Sequence, residues 1–315
     1  MSKKILVIRF SSIGDIVLTS PVIRCLKQNN YEVHLMIKEK FLPVVSANPY
    51  IDKIHFFKDV SSSIKLIKEE KFDFIVDLQN NYKSRMIRVF SGIPNDGFTK
   101  LNLQKLLVVW FKIKSILPKK SIVDRYFEAV KKLGVTNDGK GLDFFIDEEK
   151  VSEKIKTFPT PYVAIVAGGS YYTKKIPLSK LKEICIQLSD KKIVLLGDNN
   201  DRKDVEDLAK EFNNVINFCG EINLFESAYL IKNASFVVTS DTGLMHIAAA
   251  FKKKIYSLWG NTIPEFGMYP YLAHPESKIL ENNNLWCRPC SKLGYNHCPL
   301  VHFKCMNDID VSGIK

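Results

Sequence analysis

The chain has 315 residues, 46% of them hydrophobic and 25% charged, a composition typical of soluble globular proteins and a length that suits two domains. Its net charge of +12 suits an anionic partner, although a chain that is simply basic throughout is the alternative. Nucleic acid is the weaker choice of partner because no helix-turn-helix, zinc-finger or RNA-recognition signature is present. No apolar run approaches the ~20 residues of a membrane span, and the run before Arg9 is too short for a signal peptide, so we expect a cytoplasmic protein.

Short apolar runs alternate with longer amphipathic segments along both halves of the chain. The apolar runs predict strands at 4–10, 31–38, 53–57, 72–79, 162–169, 192–198, 214–220, 235–241 and 254–260. The segments between them predict helices at 15–29, 61–70, 178–189, 201–212, 224–233 and 243–250. Because the apolar runs are nearly continuous, the strands should be buried on both faces, as in parallel sheets. The alternation predicts an α/β protein with two Rossmann-like, doubly wound domains.

A linker is predicted where Gly, Pro and charged residues accumulate, at 137–161, which contains NDGKG and FPTP. We therefore expect an N-terminal domain at 1–157 and a C-terminal domain at 158–315, facing each other across a cleft. Ligands of doubly wound sheets bind beyond the carboxyl ends of the strands. The functional residues should accordingly lie in the loops that follow the strands.

The stretch SFVVTSDTGLMHIAAA, residues 235–250, leads from a predicted strand into a helix. The N–H groups and positive dipole end of that helix would form an anion site, and Gly243 would let a phosphate approach the backbone. Ser240 and Thr242 offer hydroxyl groups, while Asp241 suits a hydroxylated ligand such as a sugar. An ordinary Asp/Thr helix cap is the alternative, and His246 in the helix is more often a core histidine.

The stretch AGGSYYTKKIP, residues 167–177, is a second strand exit. It passes through Gly169 and Ser170 to Lys174 and Lys175, which suits a diphosphate because an ammonium group offsets phosphate charge. It lacks the Walker A pattern, and a solvated basic loop is the alternative.

A third exit carries Glu226 near the start of the predicted helix 224–233. A carboxylate there can bind ribose hydroxyls, but a glutamate early in a helix is also ordinary dipole chemistry.

In the first half, FSSIGD follows the first strand and contains Ser11, Ser12, Gly14 and Asp15. Asp15 is either a helix cap or a catalytic base, because each of these two roles suits a carboxylate that follows a strand. A further exit, DLQNNYKSR, brings polar and basic groups that fit an anionic, hydroxyl-rich partner. These groups are Asp77, Gln79, Lys83 and Arg85.

The basic amphipathic segment 103–120 could contact an anionic bilayer surface, but the sequence favours a helix packed on the sheet. In the tail, Cys287, Cys290, Cys298 and Cys305 lie within 19 residues together with His297 and His302. Reduced, packed thiols are the favoured interpretation; a structural zinc site is the second and a disulfide the third.

Together these motifs resemble the bacterial lipopolysaccharide heptosyltransferases of glycosyltransferase family 9. The resemblance rests on VIRFSSIGDIVLTSPVIRCLK, DLQNNYKS, DRYFEAVKKLG, GGSYYTKKIP, SDTGLMHIAAAFKKKIYSLWGNTIPEF and the tail CRPCSKLGYNHCPLVHFKCM, in the family's order. It implies a GT-B fold and an inverting transfer that needs neither a divalent metal nor another cofactor. The implied donor is ADP-heptose, bound mainly by the second domain. The implied acceptor is an anionic, lipid-linked lipid A–core saccharide at the inner membrane surface, bound by the first domain.

Residue by residue, the resemblance implies that Asp15 is the catalytic base, that Lys174 contacts the donor phosphates and that Glu226 holds the ribose. The implied donor site comprises Ser11, Ser12, Gly14, Gly169, Ser170, Lys174, Glu226, Asp241, Thr242, Gly243, Leu244 and His246. The implied acceptor contacts are Gln79, Lys83 and Arg125. Removal of water around Asp15 would strengthen it as a base, and Lys174 with the helix start at 242–244 would stabilise the leaving diphosphate.

Two departures from the family pattern concern the donor sugar. Ile176 stands where the family often has an aromatic residue, and GNTIPEF lacks the aspartate of the usual GPTDP-like stretch. Two alternatives therefore stay open: an enzyme of this fold that uses a UDP- or GDP-linked sugar, and a non-catalytic sugar-nucleotide-binding protein. A dinucleotide oxidoreductase is disfavoured, since no strand exit reads G-x-G-x-x-G.

Overall fold

The computed structural model describes residues 2–315 and divides them into two compact units. The first unit consists of two segments, the residues up to Lys100 and Lys120–Phe145. The second consists of Leu101–Lys119 and Ile146–Lys315. The segment Leu101–Lys119 joins the second unit because its Val108 and Leu117 form an apolar cluster with Ile263 and Phe266. By its internal contacts, the chain thus passes from the first unit to the second before residue 157. The predicted domain boundary at residue 157 stays a prediction.

Each unit is built on a parallel sheet. The first has the order β3-β2-β1-β4-β5, with strands β1 (Lys4–Ile8), β2 (Glu32–Ile37), β3 (Lys53–Phe56), β4 (Phe74–Asp77) and β5 (Asn95–Gly97). The second has the order β11-β10-β9-β6-β7-β8, with strands β6 (Val163–Val166), β7 (Ile193–Leu196), β8 (Val215–Asn217), β9 (Val237–Ser240), β10 (Ile255–Trp259) and β11 (Lys278–Glu281). All nine predicted strands are present, and β5 and β11 are short strands that the sequence analysis missed.

Helices connect the strands. They are α1 (Ile13–Val17), α2 (Ser20–Gln28), α3 (Val60–Glu70), α4 (Tyr82–Ser91), α5 (Asn102–Phe111), α6 (Ile122–Tyr126), α7 (Glu153–Lys156), α8 (Leu178–Gln187), α9 (Asn199–Glu211), α10 (Leu224–Asn233), α11 (Gly243–Ala250) and α12 (Lys304–Asn307). The predicted helix 15–29 is wrong in being continuous, because α1 ends before α2 begins. Pro21 has no N–H to donate to the Val17 carbonyl, which accepts from the Ser20 hydroxyl at 2.7 Å instead.

The inner strands of both sheets are buried on both faces, as predicted, whereas the edge strands β3, β5, β8 and β11 are partly exposed. In β1, for example, Ile5, Leu6, Val7 and Ile8 are fully buried. In each sheet the order reverses between two neighbouring strands, β1 and β4 in the first and β6 and β9 in the second. Ligands of doubly wound sheets bind at such reversals, so the loops after these four strands are the positions to examine.

Two sequence interpretations can be judged at this level. Helix α5 does not pack on a sheet as expected: Val108 is its only buried residue, and this side chain packs on the loop residues Ile263 and Phe266. The seven cysteines are free thiols, and Cys298 and Cys305 are part of the apolar core of the second unit. Within residues 2–315, no helix is both long and apolar enough to cross a membrane.

Candidate active site

Asp15 lies at the carboxyl edge of the first sheet, in the first turn of α1. Its Oδ1 is 2.5 Å from Arg9 Nη2, and its Oδ2 accepts a hydrogen bond from the Ser12 hydroxyl at 2.9 Å. About a quarter of the Asp15 side chain is exposed (26%), so the carboxylate is open to a substrate. The backbone N–H of Ser12 lies 3.4 Å from Asp15 Oδ2, so Asp15 belongs to the cap of α1. Its role as the catalytic base stays a prediction.

Arg9 holds this arrangement and was missed by the sequence analysis. Its guanidinium is buried and also donates to the carbonyl oxygens of Ser11 at 2.8 Å and Leu78 at 2.5 Å. A third contact reaches the hydroxyl of Tyr126 at 3.0 Å, and burial raises the pKa of that phenol. The arginine in the otherwise apolar VIRF was the available signal. The guanidinium places a positive charge beside the Asp15 carboxylate.

The loop after β4 is fixed to the loop after β1. Gln79 accepts a hydrogen bond from the backbone N–H of Phe10 at 3.0 Å. Asp77 is fully buried, accepts from the backbone N–H groups of Gln79 and Asn80, and lies 3.3 Å from Arg88 Nε. Burial raises the pKa of Asp77. Gln79 is thus positioned beside the Asp15 loop, and its acceptor contact stays a prediction.

Several cationic side chains lie near this edge. Burial and the nearby charge of Arg9 lower the pKa of Lys100. The ammonium group of Lys100 also interacts electrostatically with Asp77, Asp15 and Arg85. Sequence reasoning missed Lys100, since it follows the undistinguished stretch GFT.

The other two predicted acceptor contacts differ in accessibility. Lys83 is exposed, with its Nζ 5.9 Å from the ring centroid of Phe57. Arg125 is only 2% exposed, so the structure keeps its guanidinium from solvent, and its acceptor contact stays a prediction.

In the second unit, the loops after β6 and β9 meet through an ion pair. Lys174 Nζ is 2.6 Å from Asp241 Oδ2, and both side chains are largely but not fully buried. The hydroxyl of Thr262, in the loop after β10, donates to the same carboxylate oxygen at 3.1 Å. An ammonium group with three N–H donors can hold Asp241 and a phosphate at the same time.

The neighbouring residue, Lys175, points to a different part of the unit and pairs with α9. Lys175 Nζ lies 2.7 Å from Asp201 and 3.2 Å from Asp204, both on α9. Burial disfavours its charged form, but these two carboxylates outweigh that effect and raise the pKa of Lys175. Lys174 is therefore the lysine that the fold directs to the carboxyl edge.

Further predicted donor residues lie in the loops after β6 and β9 and in α11. Thr242 caps α11 by accepting from the Met245 N–H at 3.4 Å, and its hydroxyl is 3.2 Å from that of Thr239. Asp241, Thr242, Gly243, Leu244 and Gly169 are partly buried, Ser170 is exposed and His246 is buried. In the described chain, the Ser240 hydroxyl and Asn261 Oδ1 are buried without hydrogen-bond partners. Orphaned polar atoms of this kind suit a ligand-binding edge.

Glu226 is buried at the start of α10. Its Oε1 accepts from the Ser152 hydroxyl at 2.6 Å, and its Oε2 accepts from the Asn223 N–H at 2.9 Å. Burial disfavours the charged carboxylate, but the hydrogen bonds from Ser152 and Asn223 outweigh that effect and lower the pKa of Glu226. Glu226 thus closes a capping box with Asn223 in the first turn of α10, and its contact with a ribose stays a prediction.

The cysteine-rich tail supports the donor loops, which the sequence analysis missed. Tyr295 exchanges hydrogen bonds with Thr173: its carbonyl accepts from the Thr173 N–H at 3.1 Å, and its N–H donates to the Thr173 hydroxyl at 2.8 Å. The N–H of Cys290 donates to the Asn261 carbonyl at 3.1 Å. The buried Arg288 donates to the carbonyl oxygens of Gly260 and Thr262 at 2.6 Å and 3.0 Å. The tail thus fixes the loops that carry Lys174 and Thr262.

One group of side chains has metal-ligand geometry, at a distance from these edges. Among the described residues, the ligand atoms of His34, His55 and Glu70 lie within 4.8 Å of one another. Their polar atoms already have hydrogen-bond or ion-pair partners: His34 contacts His55 and Glu32 at 2.9 Å each, and Glu70 pairs with Lys4 and Lys53.

In the tail, Cys287 Sγ lies 3.9 Å from His302 Nε2, and burial raises the pKa of Cys290 to about 11 and of Cys305 to about 12. The zinc alternative for the tail stays a prediction.

The sequence profile of Glycosyltransferase family 9 (heptosyltransferase) matches residues 60–297, most of the chain. The chain belongs to glycosyltransferase family 9. Lipopolysaccharide heptosyltransferase 2 of Escherichia coli (strain K12) is 24% identical over 301 residues, covering 86% of this chain and 86% of the relative. The predicted family and the glycosyltransferase class are confirmed.

Two solved structures show the family-9 fold. A family-9 glycosyl transferase from Veillonella parvula DSM 2008 has a TM-score of 0.73 and 21% identity, over 89% of this chain and 86% of that one. The E. coli heptosyltransferase WaaC, solved with ADP, has a TM-score of 0.66 and 21% identity, over 88% of this chain and 92% of that one. The predicted GT-B fold class is therefore confirmed.

Proposed function

We propose that this family-9 enzyme transfers a heptose from ADP-heptose to an anionic lipid A–core saccharide at the cytoplasmic face of the inner membrane. The transfer inverts the anomeric centre and needs no divalent metal. The predicted domains share the substrates, the acceptor going to residues 1–157 and the donor to residues 158–315. The observation that carries the proposal is Asp15, a part-exposed carboxylate held by Arg9 and Ser12 at the carboxyl edge of a doubly wound sheet.

An inverting transfer is a single displacement, in which an acceptor hydroxyl attacks the anomeric carbon while ADP leaves. The hydroxyl needs a base, and Asp15 has the orientation and accessibility for that role. Arg9 fixes the orientation of the Asp15 carboxylate, which would accept the proton of the acceptor hydroxyl.

The donor diphosphate gains charge as the bond to the sugar breaks. Lys174 is the preorganised cation at the carboxyl edge of the second sheet, and the N-terminus of α11 adds its dipole. Asp241 and Thr262 offer acceptor and donor groups to sugar hydroxyls. These residues supply the charge stabilisation that a metal ion would otherwise provide, which supports a metal-independent transfer.

The acceptor side is supported by the cations near Asp15. Lys100, Arg85 and Lys83 lie at or near the carboxyl edge of the first sheet, and they would attract the phosphate and carboxylate groups of an anionic saccharide. Gln79 adds a fixed amide for hydroxyl recognition.

The first experiment is thermal unfolding with ADP, UDP, GDP and NAD at equal concentrations. A ligand at about 100 times its Kd adds ~2.7 kcal/mol to the free energy of unfolding, which is readily detected. We expect a shift with ADP alone. A shift with UDP or GDP instead would reject ADP-heptose and support the other sugar-nucleotide enzymes, which Ile176 and GNTIPEF keep open.

Transfer itself is then measured from ADP-heptose to a lipid A–core acceptor, with and without EDTA. The anomeric configuration of the product is read by NMR. We expect an inverted product and a rate unchanged by EDTA; a retained configuration would reject the single displacement. Nucleotide binding without transfer to any saccharide acceptor would support the non-catalytic alternative.

A further inference from the structure

Helix α5 and the turn after it expose large apolar side chains. Leu103, Trp110 and Phe111 on the helix are each more than 60% exposed, and Ile113 follows at 52%. The opposite side of α5 packs through Val108 on Ile263 and Phe266, so the helix is fixed to its unit by one face only. Its free face is far more apolar than an ordinary protein surface.

Lys112, the residue that follows α5, is hydrogen-bonded inside the fold. The residue has a positive φ of 62° at the end of α5, and its Nζ turns inward to donate to the carbonyl oxygens of Val109 at 2.5 Å, Pro289 at 2.7 Å and Cys287 at 3.3 Å. The ammonium group of Lys112 therefore binds backbone carbonyl oxygens and does not extend into solvent beside the exposed apolar side chains.

The same bonds bring the segment with Trp286, which is 77% exposed, beside the end of α5. We call the exposed side chains of Leu103, Trp110, Phe111, Ile113 and Trp286 the Trp110 surface.

The segment that carries most of this surface is basic. Residues 101–120 contain five lysines and no acidic residue. Lys112 is internal and Lys114 pairs with Glu265 at 2.9 Å, whereas Lys119 and Lys120 are exposed. Exposed tryptophans beside lysines match the headgroup region of an anionic bilayer, where indole rings are favoured and phosphate groups attract ammonium groups.

We propose that the Trp110 surface inserts into the headgroup region of an anionic lipid bilayer and holds the enzyme on the membrane. The surface deepens the proposed function, because it would bring the enzyme to its lipid-linked acceptor. The choice of a bilayer over a protein partner rests on the absence of acidic side chains in the segment and on its two lysines beyond Ile113 that have exposed side chains.

The test is co-sedimentation of the full chain with vesicles of phosphatidylglycerol and phosphatidylethanolamine, and with vesicles of phosphatidylcholine alone. We expect binding to the anionic vesicles that weakens with salt, and at least about 10-fold weaker binding by the double variant Trp110→Ser, Phe111→Ser. The matched control is Val89→Ser, Phe90→Ser, which removes an equally exposed apolar pair on α4 and should bind like the wild type. Thermal unfolding verifies that both variants fold.

Three outcomes would overturn the proposal: equal binding by the Trp110/Phe111 variant, no binding of the wild type to anionic vesicles, or an equal loss in the α4 control. A wild-type dimer that the Trp110/Phe111 variant abolishes would instead assign the surface to self-association. The vesicle readout requires no catalysis, so it is independent of the proposed function. Conversely, if the function is right, the variant retains transfer to a soluble acceptor without acyl chains and loses it only with membrane-embedded acceptor.

Discussion

Arg9 and Asp15 form an ion pair in which the buried partner is the cation and the more exposed partner is the anion. Arg9 is fixed by two backbone carbonyl oxygens and a tyrosine hydroxyl, so its geometry does not depend on Asp15 alone. This arrangement fixes the orientation of a part-exposed carboxylate, as the proposed role of Asp15 as a base requires.

The first prediction separates the base from the cap. Asp15→Asn keeps the size of the side chain but removes its basicity, so kcat should fall by at least about 10²-fold while ADP affinity stays nearly unchanged. The control Ser12→Ala removes the 2.9 Å hydrogen bond and leaves the carboxylate, so kcat should fall by less than about 10-fold. Steady-state rates and calorimetric ADP binding measure both quantities. An Asp15→Asn variant with more than a tenth of wild-type kcat would reject the base.

The second prediction compares two adjacent lysines. Lys174→Met should weaken ADP binding roughly 10- to 100-fold, because a hydrogen bond to a charged group contributes about 1.5–3 kcal/mol. Lys175→Met breaks contacts with Asp201 and Asp204, so it should lower the melting temperature and change ADP affinity by less than about 3-fold. Isothermal calorimetry and thermal unfolding distinguish the two effects. Equal affinity losses in the two variants would contradict the assignment of Lys174.

The third prediction concerns the tail. Gly294 has a φ of 144°, and a Cβ there would lie 2.6 Å from Tyr171 Cβ, so Gly294→Ala must displace the segment that leads to Lys174. We expect a rise in the KM for the donor of about 10-fold or more, together with a loss of about 1–3 kcal/mol in the free energy of unfolding. In the control Gly313→Ala, the nearest atom lies at 4.0 Å, and both quantities should stay unchanged. An unaltered KM in Gly294→Ala would show that the tail does not position the donor loop.

The fourth prediction is a pH dependence of stability. Hydrogen bonds from the buried Arg24 lower the pKa of Asp138 from 3.8 to about 2. Since the folded-state pKa is the lower one, this carboxylate contributes stability above about pH 4, and the contribution is lost as the pH falls towards 2.

Asp138→Asn should therefore lower the free energy of unfolding at pH 7 by about 1–3 kcal/mol, and its difference from the wild type should shrink below pH 4. The exposed Asp207→Asn serves as the control and should match the wild type. Urea titrations between pH 2 and pH 7 measure the difference. A difference that grows on acidification would contradict the role of Arg24.

The sequence predicted the sheets well because buried parallel strands leave continuous apolar runs. It failed for β5, the stretch Asn95–Gly97, because a three-residue strand of polar residues and glycine has no apolar run. It also joined α1 to α2, since the apolar periodicity continues across Pro21 and only the missing N–H separates the helices.

The sequence predicted which residues lie at the candidate site, but not which of them contact each other. Asp15, Lys174 and Asp241 follow strands, so their positions at the carboxyl edges could be inferred from order alone. The pairing of Lys174 with Asp241 could not, because the two residues are 67 positions apart and meet only once β6 lies beside β9. For the same reason, no local pattern could reveal that Tyr295 fixes Thr173.

The support of Thr173 by Tyr295 has a consequence for synthesis. The segment that carries Lys174 leaves the ribosome long before the tail that holds it, and the apolar core of this unit still lacks Ile309, Val311 and Ile314 at that stage. A nascent chain therefore cannot complete the contacts that hold the Lys174 segment until Tyr295 has been synthesised. Chains that stop short of the tail should fold in part, yet they would not sequester the sugar nucleotide from complete enzymes.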